Sequence, residues 1–158
     1  MKTKYLIPNR FRKIGWLLFL PGLLLGLWYL LGQSAPAFFD AKVFAVAGQP
    51  FLGKTVRFSF IENNLLDELA GLLIILGALM IAFSKEKTED EFITRIRMES
   101  LVWATYVNYF ILLLAIVFIY DMIFLWVLVF NMFTILFFFM VRYHWVLYKT
   151  KKQLRDEE

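Results

Sequence analysis

LVWATYVNYFILLLAIVFIY, residues Leu101 to Tyr120, and MIFLWVLVFNMFTILFFFMV, residues Met122 to Val141, are separated by the single residue Asp121. Each run is close to the ~20 residues that a helix needs to cross a hydrocarbon core about 30 Å thick. With so little chain between them, the two helices must turn back on each other as an antiparallel hairpin. Outward from this pair, Ile14 to Gly32 and Leu65 to Phe83 are runs of the same kind. The expected fold is an all-α membrane protein, a single four-transmembrane-helix bundle over residues 1–158 with helices at 14–32, 65–83, 101–120 and 122–141.

Charge orients these spans. Lys2, Lys4, Arg10, Arg12 and Lys13 precede the first run, and Lys85, Lys87, Arg95 and Arg97 lie between the second and third. Arg142, Lys149, Lys151, Lys152 and Arg155 follow the fourth in a basic tail, 142–158. Of the 17 Lys and Arg residues, only Lys42, Lys54 and Arg57 fall on the other side. The positive-inside rule then puts both termini in the cytoplasm of a multi-pass protein of the bacterial inner membrane.

Composition agrees, because 61% apolar residues and a mean hydropathy of +0.66 leave too little polar surface to coat a water-soluble globule. The net charge of +4 is accounted for by residues that flank helices, where anionic headgroups attract them. Membrane lipids are therefore the implied partners, and no direct contact with nucleic acid is expected. The chain has no Cys, which excludes disulfides and thiol chemistry. Ala35-Pro36-Ala37 after a basic stretch and an apolar run imitates a cleaved signal peptide. The run is too long for that, and a Pro inside the cleavage element is unfavourable, so the first helix is expected to be retained.

The first helix carries Pro21 and Gly22, with Gly26 four residues on, which predicts a kink and a close helix approach. That glycine face also leaves a homo-oligomer open. The outer loop, 33–64, contains Thr55 to Phe60, which alternates as a strand with one dry face would. Val43 to Ala47 is its expected partner across Gly48-Gln49-Pro50 and Gly53, making a short extracytoplasmic β-hairpin whose Phe face must be covered. Asn63, Asn64, Asp67 and Glu68 suit the start of the second helix as caps. The same acids, with Glu62 and Asp121, form an outer acidic cluster that in the alternative reading binds a cation or proton.

The inner segment, 86–100, is amphipathic, with Phe92, Ile93, Ile96 and Ser100 on one face and Glu91, Arg95 and Glu99 at helix-supporting spacings. It is expected to run straight into the third helix. Glu91, Phe92, Arg95 and Arg97 are the candidate residues for docking a soluble cytoplasmic partner. Within the spans, Asn108, Asn131 and Thr134 lie at similar depths and are expected to bond one another as packing glue, with Tyr106 and Tyr109 adjacent. His144, the only His, falls among aromatic and basic residues of an interfacial belt.

No H-E-x-x-H, G-x-S-x-G, P-loop or G-x-G-x-x-G pattern occurs, and the acids sit at helix ends instead of converging. No catalytic residue, metal site or cofactor is expected. A lipid-modifying enzyme would require Glu62, Asp67, Glu68 and Asp121 to meet in a pocket at headgroup depth.

Lys87 to Ile93, Arg95 to Leu101, Asn108-Tyr109, Phe130-Asn131-Met132 and Arg142 to Trp145 lie in Ser84–Tyr148, which resembles a group of small four-span inner-membrane proteins of Bacteroidetes-type bacteria. That resemblance covers under half of the chain. It implies a signalling or regulatory role, because similar membrane proteins often accompany helix-turn-helix regulators, and it carries no catalytic residue over. The leading expectation is a non-catalytic protein that senses or relays envelope state to a cytoplasmic partner through 86–100 and the basic tail. The alternative is a small transporter or channel subunit acting as a homo-oligomer through the Gly22/Gly26 face.

Overall fold

The computed structural model describes residues 5–32, 36–48, 56–86 and 90–156. Among them are four α-helices, a short 3-10 turn and a two-stranded antiparallel hairpin. In chain order these are α1 (Phe11–Leu30), the turn Ala37–Phe39, β1 (Asp40–Gly48), β2 (Val56–Asn64), α2 (Leu66–Ala82), α3 (Glu91–Phe118) and α4 (Asp121–Asp156). Three of the helices, α1, α3 and α4, are long and apolar enough to cross a membrane. Their apolar side chains largely face outward, including Leu24, Phe110, Leu113, Phe118, Ile123 and Phe137, as a lipid-covered surface requires.

The chain divides into two compact units, residues 20–73 and the remainder. In the first, β1 and β2 pair in register from Asp40↔Asn64 through Phe44↔Phe60 to Gly48↔Val56. The hairpin is longer than the sequence pattern indicates, because Asp40 to Lys42 and Ile61 to Asn64 also join the ladder. Its dry side also differs. Phe44 and Phe60 stack edge-to-face across the strands at 5.5 Å, yet both are exposed, together with Val46 and Phe58. Val43, Ala45 and Ile61 on the other face are the half-buried ones. Phe58 departs from ordinary strand geometry with φ of +50°. The turn residues 49–55 lie outside the described residues.

In the second unit the core is Phe19, Ala78, Ile81, Ala82, Ile93, Ile96, Ala104, Phe139, Met140, Tyr143 and Leu147. A close helix approach lies at Gly15 and Gly77, and Gly22 is buried as well. A methyl on Gly77 would meet the backbone N of Phe19 at 2.6 Å, and one on Gly15 would meet Cβ of Met80 at 2.9 Å. Small residues let the two backbones touch, which is how membrane helices gain packing area. α1 runs through Pro21 as one helix.

α3 begins at an Asp90 N-cap whose carboxylate accepts from the Ile93 N–H at 2.8 Å. From there it continues unbroken to Phe118, fusing the amphipathic segment with the apolar run. Asp121, at φ of +60°, starts α4 in the left-handed conformation that Asp tolerates better than bulkier residues. α4 then extends through the whole described tail, because nothing after Val141 breaks a helix and Tyr143 and Leu147 bury against the core.

Candidate functional site

Five chain segments meet at the basic end of the second unit. Ile7 bridges to Ser84, with its N–H bonded to the Phe83 carbonyl and its carbonyl to the Lys85 N–H. Asn9 donates to the Lys85 carbonyl, which fastens the strand-like entry of α1 beside the exit of α2. Glu86, buried just after α2, accepts an ion pair from Arg12 on α1 and a longer one, 3.7 Å, from Lys151 on α4. Arg97 of α3 donates to the Ser84 carbonyl at 3.3 Å and to the Tyr143 hydroxyl at 3.0 Å, with its guanidinium 5.2 Å from the Tyr143 ring centre. Tyr143 itself stacks on Phe139 at 5.9 Å.

Arg97 is therefore no docking residue. It is only 7% exposed. Its place follows from helical spacing: Ile93, Arg97, Ser100 and Ala104 are i, i+4, i+7 and i+11 on the buried stripe that also holds Ile96. Phe92, assigned above to that stripe, lies off it and is 51% exposed. Arg95 sits on the same open side and pairs with Glu99 at 3.0 Å, a contact of at most a few tenths of a kcal/mol between exposed groups. Glu91 and Met98 are exposed as well. Residues 87–89 of the inner segment lie outside the described residues.

His144, beyond the apolar run that ends at Val141, points inward instead of joining a belt. Its Nδ1 lies 2.9 Å from the Met140 carbonyl, and among the described residues its buried Nε2 has no hydrogen-bond partner. Burial pushes this imidazole below its usual pKa, opposed by the Met140 carbonyl, with the Arg12 charge acting the same way as burial. The Arg142 guanidinium lies over the Trp103 ring, 4.7 Å from its centre.

In the apolar stretch, Asn131 donates to the Asn108 carbonyl oxygen at 3.2 Å, and the Thr134 hydroxyl bonds the same oxygen. Asn108 returns a long bond of 3.5 Å to Asn131. Asn108 is buried, so the three side chains satisfy one another across α3 and α4. Tyr106 and Tyr109 are exposed and stay outside this network.

Of the four acids of the outer cluster, Glu62 and Glu68 have local partners. Glu62 pairs with Lys42 across the hairpin at 3.5 Å, and Glu68 accepts from Asn63 at 2.6 Å. Asp67 stands beside Glu68 in the first turn of α2. Asp121 belongs to the other unit, at the α3–α4 turn. Among the described residues, no group of three or more His, Cys, Asp or Glu side chains is arranged to hold a metal ion.

No protein-family model matches the chain, and no curated protein and no solved structure matches it. The functional reading therefore rests on its own geometry. The ionic cluster around Glu86 and Arg97 was missed by sequence reasoning because both residues look like solvated loop charges. The signal that finds Arg97 is its period, four residues from Ile93 and three from Ser100.

Proposed function

We propose that the protein is a non-catalytic, four-span protein of the bacterial inner membrane, with both termini cytoplasmic, that relays envelope state to a soluble cytoplasmic partner. α2 is the fourth span. Its i→i−4 bonding continues past its ends, Leu69 N–H to Leu65 carbonyl and Phe83 N–H to Leu79 carbonyl, so the ladder is roughly 27 Å long at 1.5 Å per residue. A small mismatch of that size is absorbed by tilt or local thinning.

The observation that carries the docking side is the open face of α3. Phe92 lies nine residues before the apolar run at Leu101, roughly 13 Å outside the hydrocarbon, where an exposed Phe has no lipid tails to cover it. Met98, 62% exposed, shares that open side with Arg95 and Glu99. An aromatic and a thioether ringed by charge match the make-up of a protein contact.

Relay needs two sites and an element that links them. The outer site is the hairpin, whose β2 is joined to α2 through Leu65 alone. The inner site is the Phe92 face, positioned by the ionic cluster into which α2 ends at Ser84 and Glu86. One helix thus joins sensor to output by direct chain connection. Asn108, Asn131 and Thr134, facing one another instead of a lumen, serve packing, and no observation favours the transporter reading.

Phe92→Ala combined with Arg95→Glu is expected to remove a soluble protein that crosslinks to the wild type in cells, while membrane insertion stays unchanged. The same crosslinked set on the double variant overturns the docking face.

A further inference from the structure

The register sorts the hairpin's side chains onto two faces, because successive residues of a strand point to opposite sides. Ala41, Val43, Ala45 and Ile61 occupy one face and are half-buried, and Ala41 lines an apolar groove with Leu69 and Leu72 of α2. That face is turned toward α2. The other carries the Phe44–Phe60 pair with Val46 and Phe58 beside it, and all four are exposed. Phe58 is held at φ of +50°, a strained conformation for a bulky side chain, yet its ring stays in the open.

A two-stranded hairpin is marginal by itself and becomes stable once a hydrophobic face is covered. Lipid is a poor cover for this one. The same face holds the rungs Lys42–Glu62 and Asp40–Asn64, and these stand between the Phe pair and α2, since only Leu65 separates Asn64 from that helix. Pressing the rings into hydrocarbon would carry both charged rungs toward it and strip their hydration. The Phe44–Phe60 rung is four residues farther along the strands than Asp40–Asn64, roughly 13 Å. On the proposed topology, on which this inference rests, the hairpin stands on the outer, aqueous side, where the cover left for it is protein.

A second copy fits the pattern of charge. Two copies in one membrane share an orientation, so a two-fold axis that relates them lies along the membrane normal. With the strands along that axis, β1 of one copy faces β2 of the other, rung for rung. Phe44 then meets the second copy's Phe60, Val46 its Phe58, Lys42 its Glu62 and Asp40 its Asn64, so no like charges are opposed. Within one copy Lys42 and Glu62 pair at 3.5 Å on an open face, where such a pair contributes little. Stacked on its equivalent, the pair becomes a square of alternating charge. We infer that the exposed Phe face of the hairpin is the interface through which two copies of this chain pair, as aligned sheets about 10 Å apart.

Energy transfer between copies of the full chain in liposomes reads this pairing, with donor and acceptor dyes attached at Lys152→Cys and the protein diluted by added lipid. The unaltered face is expected to give transfer that survives dilution, and Phe60→Ser is expected to weaken the pairing at least tenfold. Lys42→Glu alone and Glu62→Lys alone should each lose transfer, because like charges then meet across the axis. Mixing those two variants should restore transfer between them. A damaged hairpin is not repaired by mixing, because each variant chain still lacks its own Lys42–Glu62 pair. Absent transfer with the unaltered face, transfer untouched by Phe60→Ser, or a mixture that fails to recover overturns the interface. Ala47→Cys, exposed but off the Phe face, separates this from a failed topology. An impermeant maleimide that reaches it in spheroplasts places the hairpin outside whatever the transfer shows, whereas reaction only in inverted vesicles means that the topology is wrong.

Discussion

Arg97 sits at the meeting point of α2, α3 and α4, and its hydrogen bonds to the Ser84 carbonyl and the Tyr143 hydroxyl are made away from water. Hydrogen bonds to a charged group contribute more than neutral ones, and leaving such a donor short of a partner costs about 1–3 kcal/mol. Tyr143→Phe removes one acceptor without changing the ring that stacks on Phe139, so it is expected to lower stability by roughly 1–3 kcal/mol. Thermal unfolding in detergent measures this, and an unchanged midpoint contradicts the role given to the hydroxyl. The same residue explains a failure of sequence reading. Charge alone marks Arg97 as a surface contact, but the period of its neighbours marks it as buried, and in this helix the period decides. Asn108, Asn131 and Thr134 were legible for the opposite reason, since a polar side chain inside an apolar run has few places to go other than another such group.

At the scale of elements, lengths and contacts set what each helix can do. α3 and α4 both outrun a bilayer, at 28 and 36 residues, and their excess at the basic end carries Ile93, Ile96, Tyr143 and Leu147 into the core. The long apolar runs made these helices readable. Their continuation past the runs was harder to see, because an amphipathic or basic segment reads equally as tail or loop until its partner is in place. The contact between α1 and α2 was not legible at all. A glycine's partner is fixed by three-dimensional packing, and Gly15, Gly22, Gly26 and Gly77 look alike in sequence. With the Phe19 backbone N only 2.6 Å from where a Cβ would stand, Gly77→Ala is expected to force α1 from α2. It should destabilise by roughly 1–3 kcal/mol, as overpacking does. Leu76→Ala, at an exposed position beside it on the same helix, is the comparison; equal unfolding midpoints for the two variants contradict the assignment.

For the whole molecule, the proposed relay depends on how many times the chain crosses the membrane. Three helices satisfy length and apolarity outright, and the proposed topology adds α2 as a fourth span. The distinction has a simple consequence, because an even number of crossings leaves both termini on one side and an odd number does not. The basic residues ahead of α1 and after the apolar part of α4 argue for the same side, as does the ionic cluster that brings Arg12 of α1, Glu86 and Lys151 of α4 together. The natural absence of Cys allows single cysteines to report without background. Tyr5→Cys and Lys152→Cys, each labelled in intact cells and in inverted vesicles with a membrane-impermeant maleimide, test the claim directly. Both are predicted to react only in inverted vesicles, and reaction of one from each side would contradict the four-span account.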